Sequence, residues 1–193
     1  SEQKVDLLVE YFRHHDPTRT IVFTRTRRRA ERLAVTLNRA GITCEAIHGD
    51  RTQAQRQRAL DSFKLGSTAV LVATDVVARG IDVDNITHVI NYDIPTNPED
   101  YVHRIGRTAR AGSSGIAVSL LTGEEVHELK AIERLIGTTI ERHDLPGFDY
   151  EKRQIPESHQ VQPKVGKLVW NGGARRSAVQ GIRRRPPRRS AAR

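Results

Sequence analysis

The chain has 193 residues with 32 Lys+Arg against 23 Asp+Glu, a net charge of +9, one cysteine and no methionine. A single cysteine excludes an internal disulfide and any cysteine-built zinc cage, and no apolar run approaches the roughly 18–20 residues of a membrane span or reads as a signal peptide. The missing methionine and the opening Ser1 suggest a piece of a longer protein, and the composition fits the cytoplasm. The charge is lopsided: residues 1–145 carry 20 Lys+Arg and 20 Asp+Glu, whereas residues 146–193 carry 12 against 3. The excess therefore belongs to a tail, and the boundary falls near Leu145-Pro146-Gly147, giving units 1–147 and 148–193. A body of about 145 residues buries close to 70% of its unfolded surface, enough for an independent core.

From the N-terminus, Val5, Leu8, Val9 and Phe12 make the i, i+3, i+4, i+7 stripe of an amphipathic helix over Glu2 to His14, broken by Asp16-Pro17. Ile21-Val22-Phe23 reads as a buried strand. A second helix presents Ala30, Leu33, Ala34 and Leu37 and ends at Gly41. Cys44 to Ile47 is the next strand, with Cys44 a buried thiol. Thr52 caps a third helix that buries Ala59, Leu60 and Phe63 and stops at Gly66. Ala69 to Ala73 is a strand, Thr74 to Asp82 a loop, His88 to Tyr92 a strand and Pro95 to Pro98 a turn. A helix from Tyr101 follows, then a turn at Gly112-Ser-Ser-Gly115 into a strand from Ile116 to Leu121. A last helix, Glu124 to Ile136, buries Leu129, Ile132 and Leu135, with a short strand near Thr139 to Arg142. Strands alternating with amphipathic helices predict βαβ units and a mostly parallel sheet covered on both faces. Ligands of such sheets bind beyond the carboxyl ends of the strands, and Thr24-Arg25-Thr26, His48-Gly49-Asp50 and Thr74-Asp75 each follow a strand directly.

Three clusters could carry chemistry. Tyr101-Val-His-Arg-Ile-Gly-Arg-Thr-Ala-Arg110 holds His103, Arg104, Arg107 and Arg110 around one glycine. On a continuous helix, His103, Arg107 and Arg110 fall within roughly 60° of one another. No acid lies three or four residues from Arg107 or Arg110, so the two guanidiniums suit an anion such as a phosphate; the other reading is a solvated basic helix. Ala73 to Asp82 offers Thr74 and Arg79 to a phosphate and Asp82 to a ribose hydroxyl, unless Asp75 or Asp82 merely caps a turn. Gln53 and Arg56 share a face at the positive end of the third helix, or are exposed polar residues of an ordinary helix. Arg25, Arg27, Arg28 and Arg29 extend a basic edge or are plain solvated charge. No phosphate loop of the G-x-x-x-x-G-K-[ST] type occurs, because Gly166-Lys167 is followed by Leu168 and has Val161 where the first glycine belongs. His127-Glu128 lacks the second histidine of a zincin, and no metal is assigned.

Together these stretches resemble the second RecA-like domain of a DEAD-box RNA helicase over roughly residues 1–147. Ile21 to Thr26 resembles motif IV, Gln53-x-x-Arg56 motif IVa, Ala73 to Asp82 motif V and His103 to Arg110 motif VI. The wording Val22 to Thr26, Pro98 to Arg104 and the basic tail are most similar to bacterial RhlE-type members. The resemblance implies a RecA-like three-layer α/β/α fold. It implies that Arg107 and Arg110 are arginine fingers on the γ-phosphate of ATP held by another lobe, and that Asp82 and Arg79 touch the nucleotide. His103 and Arg104 would couple the lobes, and Thr24, Arg25, Thr26, Gln53, Arg56, Thr74 and Asp75 would lie along RNA. ATP with Mg²⁺ would be bound mainly by the N-terminal RecA-like lobe, absent from this chain, so the chain alone is expected to be inactive as an ATPase. Expected partners are RNA, read through its backbone, that lobe, and factors of RNA degradation or ribosome assembly.

Residues 148–193 are rich in Pro, Gly and Arg, end in Arg183-Arg-Arg-Pro-Pro-Arg-Arg189, and hold one apolar island, Lys167-Leu-Val-Trp170. Such composition does not offset its ordering entropy, and a flexible tail that anchors RNA non-specifically is expected, against a solubilising linker. Competing with the helicase reading are a nucleotide-independent RNA-annealing module and a DNA-acting relative.

Overall fold

The computed structural model describes residues 2–16, 18–78, 81, 83, 85–108 and 115–150. Arg79, Asp82, Arg110, the turn at 112–114 and the tail from 151 lie outside the described residues. The elements in order are α1 (Glu2–His15), β1 (Thr20–Phe23), α2 (Arg27–Arg39), β2 (Cys44–Ile47), α3 (Gln53–Leu65), β3 (Val70–Ala73), α4 (Asp75–Ala78), β4 (His88–Asn91), α5 (Pro98–Ile105), β5 (Ile116–Ser119), a 3-10 turn (Gly123–Glu125) and α6 (Val126–Ile136). The five strands form one sheet in the order β2-β3-β1-β4-β5, with every pair parallel.

The central strands β1 and β3 are buried along their whole length, as strands covered on both faces must be. Alternation along them divides the core. Val22, Val70, Val72 and Ile90 face Leu8 and Phe12 of α1 and the Ala30–Leu33–Ala34–Leu37 stripe of α2. Ile21, Phe23, Leu71 and Val89 face Ala59 and Phe63 of α3 together with Val77, Ile81, Val83 and Ile86. A smaller cluster of Ile94, Tyr101 and Ile132 seats α5 against α6. The result is the three-layer arrangement expected from the alternating pattern.

Local signals set the element ends. Thr52 and Gln55 close a reciprocal capping box at the start of α3, and Gly66 ends it at φ 80°. Asn38 latches α2 onto β2: its amide donates to the carbonyls of Ala34 (2.9 Å) and Cys44 (2.7 Å) and accepts from the Cys44 N–H (3.1 Å). Cys44 is buried, and burial, reinforced by Glu45, pushes its thiol up to about 12. A thiol so protonated is structural rather than nucleophilic.

Four expectations need correction. The segment after β3 is not all loop, because Asp75–Ala78 forms one helical turn, with Val77 N–H on the Thr74 carbonyl (3.2 Å). The arginine-bearing helix starts earlier and stops sooner than expected. Asn97 caps it, Pro98 occupies its first turn, and it ends at Ile105. Leu135 is exposed, since it sits about 120° around α6 from Leu129, while Ile132 and Ile136 complete the inward stripe. Residues 139–142 form no strand; Gly137 ends α6 at φ 72°, and the Ile140 N–H is taken by the Glu133 carboxylate (3.0 Å) instead of a neighbouring strand.

Candidate nucleotide and nucleic-acid interface

Parallel register puts Ile47, Ala73, Phe23 and Asn91 at one level, where β2, β3, β1 and β4 end. The four following loops therefore start side by side along a single edge: Thr24, Arg25, Thr26, Thr74 and Asp75 directly follow strands there, and Gln53 and Arg56 lie in the first turn of the helix after the β2 loop.

Arg104 is the keystone of that edge. It is buried to 2% relative exposure, a condition that demands full pairing of a guanidinium. Nε and Nη2 donate to the two carboxylate oxygens of Asp75 at 2.6 and 2.9 Å, a bidentate fork. Nη1 donates to Asn91 Oδ1 (3.0 Å) and to the Asp93 carbonyl (2.7 Å), and the guanidinium lies 4.9 Å from the centre of the Phe23 ring. One side chain thus ties α5 to α4, β4 and β1. His103, next to it, points outward with a half-exposed ring 4.0 Å from Asp100.

Arg107 lies past the helix. Gly106 ends α5, a Cβ there would meet the Val102 carbonyl at 3.2 Å, and Arg107 and Thr108 continue as a tight turn. The buried Thr108 hydroxyl donates to the Ile86 carbonyl (2.7 Å) and draws the chain away from the helix path. His103 and Arg107 therefore do not share one continuous helical face as expected, and Arg110 lies outside the described residues. Arg107 is half-buried and donates from Nη1 to the Ile81 carbonyl (3.3 Å), beside the segment that carries Asp82.

On the β1 loop, Thr24 is fully buried and its hydroxyl donates to the Thr26 carbonyl (3.3 Å), so it shapes the loop from beneath. Thr26 caps α2 by accepting from the Arg29 N–H (3.2 Å). Arg25 is half-exposed; its N–H goes to Asp93 Oδ2 (2.8 Å) and Nη2 to the Ile94 carbonyl (3.1 Å). Arg29 takes the other oxygen of Asp93 at 2.5 Å. Thr74 is buried, with its N–H toward the Ile47 carbonyl (3.4 Å).

The β2 loop is pinned to α2. Buried His48 accepts at Nδ1 from the Asp50 N–H (3.3 Å), which leaves Nε2 as the donor to Glu31 Oε1 (2.5 Å). Arg51 takes the second oxygen of Glu31 (2.8 Å), and Arg27 pairs with Asp50. This scaffold presents the first turn of α3, where Gln53 is exposed and Arg56 half-buried, with Arg56 Nε buried and unpaired among the described atoms. Burial raises the Glu31 carboxyl, but the His48 and Arg51 bonds outweigh it and hold it below the usual carboxylate range. A carboxyl lowered on folding contributes stability above its unfolded value, about pH 4.3, and loses it as pH falls through the folded value. The stability gap between the native chain and Glu31→Gln, measured by denaturant unfolding, should be constant from about pH 7 to about pH 5 and narrow toward about pH 3. Parallel curves over the whole range would contradict the pairing.

Sequence reasoning did not single out Asn91, Asp93, Glu31 or Glu125. Asn91-Tyr92-Asp93 ends a strand just as the three chosen clusters do, and the same rule could have found it. Glu31 lies 17 residues from His48, and Glu125 lies 121 residues from Lys4, with which it forms an ion pair, so neither leaves a local trace.

The family model "Helicase conserved C-terminal domain" matches residues 3–112. The DEAD-box ATP-dependent RNA helicase CshA of Bacillus cereus is 50% identical over 148 residues, covering 77% of this chain and 28% of that protein. CshA of Bacillus subtilis is 48% identical over 147 residues, covering 76% and 30%. The chain thus spans under a third of the length of these relatives. Among solved structures, E. coli DEAD-box protein SrmB bound to regulator of ribonuclease activity A matches with a TM-score of 0.76 at 40% identity, covering 81% of this chain and 92% of that one. A DEAD-box protein from Methanococcus jannaschii matches at 0.67 and 40% identity, over 72% and 38%. With a family model matching more than half of its length and relatives of this closeness, the chain is a C-terminal, RecA-like helicase domain of the DEAD-box RNA helicase family.

Proposed function

We propose that the chain is the second lobe of an ATP-dependent RNA helicase of the cytoplasm, which closes over RNA and a nucleotide held mainly by the first lobe and helps to unwind short duplexes. The observation that carries this reading is the shared edge. The loops after β2, β3, β1 and β4 start at one level there, with Arg25 on the β1 loop, Gln53 and Arg56 in the helix turn that follows the β2 loop, and Arg107 bonded to the Ile81 carbonyl in the segment after β3.

The basic groups fall into two sets. Arg25, Gln53 and Arg56, with Thr26 beside them and Thr24 and Thr74 as buried support, suit sugar and phosphate contacts that carry little sequence information. Arg107, with Arg110, Arg79 and Asp82 of the neighbouring motif segments, suits the nucleotide. A guanidinium beside the Ile81 carbonyl fits the phosphate end of ATP, and Mg²⁺ with its phosphate cradle belongs to the first lobe. When bound, ATP supplies the transferable phosphoryl group; this chain's part is to place positive charge where that group becomes more negative. Asp75 joins the two sets through Arg104, so a shift of α5 toward nucleotide is passed to α4 along a rigid fork. In this reading the exposed His103 is a contact to the first lobe. The wording of Val22 to Thr26 and the basic tail support an RhlE-type member. The SrmB neighbour, solved with a regulator of ribonuclease activity, supports factors of RNA degradation as partners, with ribosome-assembly factors as the other class.

Residues 148–193 act as an RNA anchor in this reading. Gln3 Nε2 donates to the Asp149 carbonyl (3.2 Å), so the tail starts beside the first turn of α1. Deleting residues 151–193 should weaken RNA binding and flatten its salt dependence, because fewer counterions are released; an unchanged salt slope would rule the anchor out. The function as a whole is tested by mixing the chain with a separately produced first lobe. RNA-stimulated ATP hydrolysis should appear in the mixture and be absent from the chain alone, and turnover by the chain alone at the rate of the whole protein would contradict the reading.

A further inference from the structure

Lys4 and Glu125 form a buried ion pair between α1 and the 3-10 turn. Lys4 Nζ reaches Glu125 Oε2 at 2.6 Å and donates to the Tyr92 carbonyl at 2.8 Å, with side-chain exposures of 9% and 11% for the two residues. The same Oε2 accepts from the N–H and hydroxyl of Thr122 (3.0 and 2.9 Å), while Oε1 accepts only the Ile94 N–H (3.2 Å). Facing Oε1 at 4.0 Å, too far for a hydrogen bond, is Nη2 of Arg25, whose side chain is 47% exposed. The other nearby acid, Asp93, already has Arg29 on one oxygen and the Arg25 N–H on the other.

We propose that Lys4 is a positioning residue for RNA: by neutralising Glu125 it keeps the Arg25 guanidinium from being drawn into the protein and leaves it open to a phosphate. This rests on the reading of Arg25 as an RNA-backbone contact. The physical reason is the cost of an unpaired buried carboxylate. With Lys4 present, Glu125 has its counter-charge on Oε2, and the Arg25 guanidinium donates to the Ile94 carbonyl while standing in a long, half-exposed ion pair 4.0 Å from Oε1. Without Lys4, Glu125 keeps neutral donors alone, and the nearest remaining cation among the described residues is Arg25. A movement of about 1 Å would then close a charge-assisted hydrogen bond and take Arg25 away from RNA. Lys4 thus acts through Glu125 on a residue of another element, from the helix turn next to which the basic tail begins.

The test is the affinity of the whole 193-residue chain for a short single-stranded oligouridylate at low salt, by fluorescence anisotropy. Thermal melts confirm that each variant is folded. Arg25→Ala sets the scale, with an expected loss of about five-fold to ten-fold for one phosphate contact. Lys4→Met should lose a similar amount although Lys4 is buried, and Lys4→Met/Glu125→Gln should return to within about two-fold of native. Glu125→Gln alone, which removes the competing acid and leaves Lys4 in place, should bind at least as tightly as the native chain. A folded Lys4→Met that binds like native while Arg25→Ala is weakened overturns the proposal. So does a double variant as weak as Lys4→Met, which would mark a merely structural role. Native affinity in Arg25→Ala instead overturns the reading of Arg25 itself, and the proposal with it.

Discussion

If the proposed finger role holds, alanine at Arg107 or Arg110 should lower ATP hydrolysis by the assembled two-lobe protein by about 10³–10⁵-fold, with RNA affinity in the absence of nucleotide staying within about two-fold. In barrier terms this is about 4–7 kcal/mol per arginine, supplied where charge develops on the transferred phosphoryl group. Arg107 stands on a turn fixed by Gly106 and by the Thr108 hydroxyl on Ile86, and one Nη is steadied by the Ile81 carbonyl. Such anchoring aims the guanidinium in advance. Lysine should not restore the rate, because an ammonium cannot fork onto two phosphate oxygens. Single-turnover hydrolysis with saturating RNA measures the effect; a drop of less than about ten-fold at both positions would remove the finger role.

The largest loss of stability is expected from Arg104→Met. The substitution leaves the Asp75 carboxylate without its bidentate partner and orphans Asn91 Oδ1 and the Asp93 carbonyl, all at the sheet edge. Breaking a buried charge pair by removing one partner costs about 3–5 kcal/mol, equivalent to a fall of about 10 °C in Tm for a domain of this size. Lysine should recover little, since one ammonium with three N–H donors cannot serve the four acceptor oxygens of Asp75, Asn91 and Asp93. Denaturant unfolding of the 193-residue chain reads this directly, and a loss below about 1 kcal/mol would show that the fork does not hold α4 to α5.

Much of the architecture was legible because the decisive signals were local. The Ala30–Leu33–Ala34–Leu37 stripe, the Thr52 cap, Gly66 and the apolar strands Val70–Ala73 and Cys44–Ile47 each declare themselves within a few residues. The edge on which the site lies followed from the rule that loops after parallel strands carry ligands. What could not be read was set by contacts distant in sequence. The helix of motif VI stops at Ile105 because Thr108 is drawn to Ile86, 22 residues away, and no helical periodicity reveals that pull. Arg104, one basic residue among several in the sequence, is the buried link because Asp75 and Asn91 meet it through the fold. The Lys4–Glu125 pair that stands beside Arg25 joins residues 121 positions apart, and no local pattern announces it.

In the proposed function this lobe recognises the γ-phosphate held by the other. The most direct measurement is the affinity of the chain for a separately produced first lobe in the presence of RNA, with either ADP or ADP plus a γ-phosphate mimic. The account predicts association at least about ten-fold tighter with the mimic, and loss of that difference in Arg107→Ala/Arg110→Ala. Equal affinity with both nucleotides, or a difference that survives the double substitution, would contradict it.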